Sequence, residues 1–158
     1  MPHRLVVSTP TDREIIITRH FDAPRVLIYR CYVEPDLMRR WLLGPPGWTM
    51  PICEIDCRLG GVYRFIWRSE SGEAFGITGT FREIIPSEKL VSTEIFVGAT
   101  EETRVVVDFL DDGVATSVRY RLAYPSRTAR DAAIASGMTD GMEMGFKRLD
   151  QFAGASPA

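Results

Sequence analysis

Six short segments between residues 50 and 123 alternate apolar and polar residues, and this rhythm constrains the fold more than any other feature. They are Met50–Arg58, Val62–Ser69, Phe75–Ile85, Lys89–Val97, Thr103–Leu110 and Ala115–Ala123. Turn signals separate them: Gly60-Gly61, Ser71-Gly72, Pro86-Ser87, Gly98 and Asp111-Asp112-Gly113. Period two marks strands that bury one face. Short connections between successive strands make an antiparallel meander.

The flanks differ. Glu14–Phe21, EIIITRHF, is rich in β-branched residues and predicts a strand. Asp22-Ala23-Pro24 predicts a helix start, with Asp22 as N-cap and proline in the first turn. Val26, Leu27, Cys31 and Tyr32 follow at helical spacing. Leu37, Met38, Trp41 and Leu42 predict a second short helix after Pro35, and Gly44-Pro45-Pro46-Gly47 a loop. Beyond Pro125-Ser126, Thr128–Asp131 resembles a capping box, and the chain reads as helical to about Ala153. Strand, short helices, six strands and a long helix define an α+β fold in which the helix covers one sheet face. The expected organisation is one domain over 1–158, with a core at 14–153, a flexible segment at 1–12 and a tail at 154–158.

Alternation also assigns faces. Tyr63, Phe65 and Trp67 share a side against Arg64 and Arg68, so the aromatic side belongs inside. Ile77, Gly79 and Phe81 share a face in the next strand. Val105, Val107 and Phe109, then Val118, Tyr120 and Leu122, follow suit. The Lys89–Val97 strand is ambiguous: either Val91, Thr93, Ile95 and Val97 point inward, or Leu90, Ser92, Glu94 and Phe96 do. In the second case Glu94 is a buried carboxyl with a raised pKa. The aromatic wall can be solid core or the lining of an apolar cavity. Gly137, Gly141 and Gly145 recur at four-residue steps in the last helix. They mark a helix break near Ser136-Gly137, a close approach of the sheet, or space held open for a ligand. Met138, Met142, Phe146, Leu149 and Phe152 flank them at helical spacing.

Charge and composition remove several functions. Lys and Arg number 19 and Asp and Glu 21, a net charge of −2, which gives no basis for nucleic-acid or anionic-membrane binding. No apolar run is long enough to insert into a membrane. Leu5-Val6-Val7 is too short for a signal-peptide core. Three cysteines, Cys31, Cys53 and Cys57, are an odd number and read as reduced packing thiols, which points to the cytoplasm. His3 and His20 are the only histidines. His3 falls in the loose N-terminal segment, and His20 reads as a surface or half-buried residue, with catalytic base as the alternative. No nucleophile elbow, zinc-protease motif or phosphate-binding glycine loop occurs, so neither a cofactor nor a metal is expected.

Several stretches together resemble the activators of the heat-shock-protein-90 ATPase, a family of the START-like or SRPBCC superfamily. They are Ile17-Thr-Arg-His-Phe-Asp-Ala-Pro-Arg25, Pro35-Asp-Leu-Met-Arg-Arg-Trp-Leu42 with Gly44-Pro45, Gly60-Gly61-Val-Tyr-Arg-Phe65 and Gly79-Thr-Phe-Arg-Glu-Ile84. The ending Ala129-Arg-Asp-Ala-Ala133, Gly137-Met-Thr-Asp-Gly-Met142 and Arg148-Leu-Asp150 is similar to bacterial single-domain members. The resemblance implies a helix-grip fold: seven antiparallel strands curved around the long C-terminal helix, with two short helices after strand 1 and a deep cavity between sheet and helix. Superfamily relatives hold lipids, steroids, hormones or polyketide intermediates there, and some are cyclases or dehydratases.

The first expectation is therefore binding of a small hydrophobic ligand by Trp41, Tyr63, Phe65, Trp67, Phe81, Met138, Met142 and Phe146, with Tyr63 and Glu94 orienting its polar end. No residue is assigned a catalytic role. A cyclase- or dehydratase-type enzyme is the alternative, and a co-chaperone-like module the third reading. Homodimerisation and a chaperone partner stay open.

Overall fold

The computed structural model describes residues 3–154. Its elements are β1 (Val6–Ser8), β2 (Glu14–Phe21), α1 (Arg25–Val33), α2 (Pro35–Met38), β3 (Trp48–Ile55), β4 (Val62–Ser69), β5 (Ala74–Ile85), β6 (Lys89–Phe96), β7 (Thr103–Asp112), β8 (Ala115–Ala123), α3 (Arg127–Ala135) and α4 (Met138–Gly154). The strands form one sheet in the order β1-β2-β8-β7-β6-β5-β4-β3. Every neighbouring pair is antiparallel. The meander is the expected one. The pairing of β2 with β8 was not readable locally, because it joins residues about a hundred positions apart.

Three expectations change. Eight strands replace seven, because Val6–Ser8, inside the segment expected to be flexible, pairs with Ile16–Thr18. The tail from 155 onward lies outside the described residues. The long C-terminal helix is two helices, parted where Ser136 caps α3 and Gly137 takes φ +81°, the left-handed conformation that ends helices. Both helix starts shift as well. Pro24 rather than Asp22 is the N-cap of α1, without a side-chain cap. At α3 the cap is Ser126, whose Oγ accepts the Ala129 N–H at 3.0 Å, so the Thr128–Asp131 box is not used.

Register assigns the inner face. Ile15, Ile17 and Phe21 of β2, Tyr63, Phe65 and Trp67 of β4, Phe81 of β5, Val105, Val107 and Phe109 of β7, and Val118 and Leu122 of β8 are buried there. Phe146 and Leu149 of α4 pack onto this face with Trp41, which follows α2. Trp41 and Phe146 stack at 6.2 Å between ring centroids, and the Trp41 Nε1 donates to the Cys31 carbonyl. Gly145 permits this approach: a Cβ there would lie 3.2 Å from the Trp41 carbonyl oxygen. Of the three glycines, then, Gly137 breaks the helix, Gly145 admits Trp41, and Gly141 faces no atom within 4 Å.

Candidate functional site

The ambiguous strand β6 is settled by its pairing. Gly79 stands opposite both Tyr63 and Glu94, and Phe81 opposite Ser92. Ser92, Glu94 and Phe96 therefore share the inner face with the aromatic wall. A Cβ on Gly79 would fall 2.0 Å from Tyr63 Cζ. The Tyr63 ring thus lies across β5 through the space that glycine leaves, and reaches the third strand. Its hydroxyl donates to Glu94 Oε2 at 2.7 Å and meets Ser92 Oγ at 2.9 Å. With the phenolic proton on Glu94, Ser92 is left as the donor to Tyr63.

Glu94 keeps partial solvent access, but its carboxyl is ringed by protein. Burial pushes its pKa above the ordinary carboxylic range, and the Tyr63 hydrogen bond pulls it back in part. Burial, then the neighbouring Glu94 charge, drives the Tyr63 pKa far up, so this phenol stays protonated. Two more tyrosines feel the Glu94 charge. Tyr120 shares a hydroxyl–hydroxyl hydrogen bond with Tyr32. Tyr124 donates to Met138 Sδ at 3.5 Å, and burial lifts its pKa to about 12.

The sign of the Glu94 shift gives a test. A carboxyl whose folded pKa is raised binds its proton more tightly in the folded state. Its contribution to stability is complete below the unfolded value of about 4.3 and is lost as pH rises through the folded value. Glu94→Gln cannot titrate, so wild type should lose stability relative to this variant as pH climbs above about 4.5. Urea unfolding of both proteins from pH 4.5 to 8 reads the difference, and the other carboxylates cancel. A constant difference would show that Glu94 titrates normally.

The nine residues expected at the site divide. Tyr63, Phe65, Trp67, Phe81 and Glu94 share the concave face. Tyr63 lies within 5.2 Å of the rings of Phe65 and Phe81. Trp41 and Phe146, 1% exposed, pack with those four aromatic rings in one buried cluster. Met138 and Met142 are half-buried on α4. Large apolar surface returns at one end of the concave face, where Phe75 is 43% and Phe96 54% exposed. Phe75 stacks on Trp67 at 4.8 Å and meets Trp48 edge-on at 5.4 Å. Trp48 opens β3, two residues ahead of the strand start expected at Met50. Just before the Gly44–Gly47 loop, the Leu42 carbonyl accepts a hydrogen bond from Trp67 Nε1. Two surface pockets lie elsewhere. One, about 340 Å³, is bordered by His3, Phe21, Asp22, Leu149 and Asp150; the other, about 410 Å³, by Arg25, Ile85, Lys89 and Asp108.

Two arrangements escaped sequence reading. Arg19, alternating with Ile15, Ile17 and Phe21, is fully buried and bonded to Glu143 and Asp150 of α4. Its place in the alternation was the available signal. His3, His20 and Asp22 also converge, with one donor atom from each within 4.8 Å of the others. His20 and Asp22 are two residues apart in extended chain, which places them on one side. The approach of His3 depends on β1. All three cysteines are free, Cys31 and Cys53 buried and Cys57 partly so. Among the described residues, no helix is long and apolar enough to cross a membrane.

A curved antiparallel sheet holding a C-terminal helix against an aromatic concave face defines the helix-grip, START-like class. Solved structures carry the same fold. A Rhodobacter sphaeroides protein aligns at TM-score 0.91 and 27% identity, over 97% of this chain and 99% of its own. Protein Ms6760 from Mycobacterium smegmatis aligns at 0.85 and 19%, over 99% and 100%. Protein CV1439 from Chromobacterium violaceum aligns at 0.76 and 22%, over 90% and 99%. Residues 22–154 match the family described as Activator of Hsp90 ATPase homolog 1-like protein, and the chain belongs to that family. No functionally curated protein matches it.

Proposed function

We propose that the chain binds a small, largely apolar molecule on the concave face of its sheet. The molecule enters at the Trp48–Phe75–Phe96 end and places a hydrogen-bond donor against Glu94 and Tyr63. The carrying observation is the carboxyl–phenol pair on an otherwise aromatic face: Tyr63 to Glu94 is 2.7 Å, and half-buried Tyr120 and Tyr124 lie near enough to feel the Glu94 charge. Aromatic rings supply apolar burial, at about 25 cal/mol per Å². One polar cluster supplies orientation. Met138 and Met142 on α4 are adaptable side chains that can make room. Three free thiols support a reducing, cytoplasmic setting.

Native mass spectrometry of freshly purified protein should find a co-purified species released on denaturation. An environment-sensitive apolar dye should bind and be displaced by it. Glu94→Leu, which keeps the volume and removes the acceptor, should weaken that species about tenfold. A protein without adduct and without saturable dye binding would refute the proposal. A raised Glu94 pKa also favours a second reading, acid–base chemistry on the bound molecule, as in cyclase- or dehydratase-type relatives. The family's description supports a third, contact with a heat-shock ATPase.

A further inference from the structure

The His3–His20–Asp22 cluster lies away from the concave face, at the end of β2 beside the β7–β8 hairpin. His3 Nε2 is 3.0 Å from Asp22 Oδ2, and His20 Nε2 is 3.5 Å from Asp22 Oδ1. The imidazole rings meet edge-on at 4.6 Å. Topology builds the cluster. His20 and Asp22 lie on one side of an extended segment, and antiparallel pairing of Val6 with Thr18 carries the chain before β1 back past Phe21. Both histidines are half-buried and Asp22 is exposed.

The other side of His20 is also built. Its Nδ1 is 3.3 Å from Ser117 Oγ and 3.5 Å from Asp112 Oδ2, and Ser117 Oγ donates to that same carboxylate oxygen at 2.7 Å. With the ring proton on Nδ1, toward Ser117 and Asp112, the Nε2 lone pair faces Asp22. This carboxylate–histidine relay is how proteins orient an imidazole toward a metal. His3 and His20 approach different oxygens of Asp22, at 3.0 and 3.5 Å, and one donor atom from each of the three residues lies within 4.8 Å of the others, so small side-chain rotations bring the set to the roughly 3.3 Å expected between ligands about 2.0–2.1 Å from a tetrahedral ion. Two imidazoles and one carboxylate suit zinc and its first-row neighbours, whereas calcium and magnesium prefer oxygen. The pocket of about 340 Å³ bordered by His3 and Asp22 supplies space for a non-protein fourth ligand such as water.

We propose that His3, His20 and Asp22 bind one divalent first-row transition-metal ion, zinc foremost, with Asp112 and Ser117 orienting His20. Zinc titration of tag-free protein by calorimetry, and the visible absorption of the cobalt(II) complex, test it. One equivalent should bind, and cobalt(II) should give an intense band of low coordination number with nitrogen ligands. His20→Ala should weaken zinc binding by about 100-fold or more, and Asp112→Asn, which leaves the three ligands in place, by about 10-fold. Asp22→Asn, at an exposed position, should weaken it without disturbing the fold, and His3→Ala likewise. Circular dichroism checks the fold of each; were His20→Ala unfolded, the Asp22 and His3 variants decide. Absence of a saturable site overturns the proposal. So does affinity unchanged in Asp22→Asn and His3→Ala, which would leave the cluster an ordinary histidine–carboxylate ion pair.

Discussion

Replacing Arg19 by alanine should cost the fold about 3 kcal/mol, measured as a fall in urea midpoint at constant slope. The guanidinium is fully buried on the inner face of β2. It donates to both Asp150 oxygens, at 3.0 and 2.6 Å, and from Nε to Glu143 Oε2 at 3.2 Å. A further N–H reaches the His20 carbonyl at 2.7 Å, and the charge lies 5.0 Å over the Phe21 ring. Glu143 and Asp150 are two helical turns apart, so one arginine fastens α4 across β2. Alanine removes these donors, leaves two carboxylates facing each other and opens a void. Removing one member of a buried ion pair costs about 3–5 kcal/mol. The lower end applies because the Asp150 side chain is 32% exposed, so water can rehydrate it. A loss below about 1 kcal/mol would mean that the helix is held by apolar packing alone.

Gly79→Ala should destabilise the protein by about 1–3 kcal/mol and detach Tyr63 from Glu94. The added methyl group would sit 2.0 Å from Tyr63 Cζ and 2.3 Å from its hydroxyl oxygen, and strand backbone on both sides cannot retreat. The ring must swing off β5, losing its bonds to Glu94 and Ser92. A double-mutant cycle isolates this effect. With Tyr63 already alanine, the extra methyl meets no ring, so Gly79→Ala should cost almost nothing there. Equal cost in both backgrounds would place the role of Gly79 in backbone geometry instead. In the proposed ligand reading, Gly79→Ala and Glu94→Leu should weaken binding similarly, since each removes the anchored carboxyl–phenol pair.

How far the sequence reaches can be judged from individual residues. Tyr63, Phe65 and Trp67 could be placed inside because strong alternation with Arg64 and Arg68 leaves one consistent register. Strand β6 could not be placed, because Val91 and Ile95 compete evenly with Leu90 and Phe96. Only its pairing with β5 put Glu94 inward. That outcome places a carboxyl on the concave aromatic face. The glycine stripe was visible as a stripe, but its three members do three different things. Backbone conformation at Gly137, the nearby Trp41 carbonyl at Gly145 and open space at Gly141 are properties of surroundings, not spacing.

Local alternation and turn chemistry therefore determined the meander, the aromatic face and the α+β class, since each depends on neighbours a few residues apart. Tertiary structure alone decided the closure of β2 on β8, the burial of Arg19 against two carboxylates of α4, the reach of Tyr63 across Gly79, and the meeting of His3 with His20 and Asp22. The physical reason is common to all four. Each joins groups distant along the chain, and their interaction exists only once the sheet has brought them within a few ångströms.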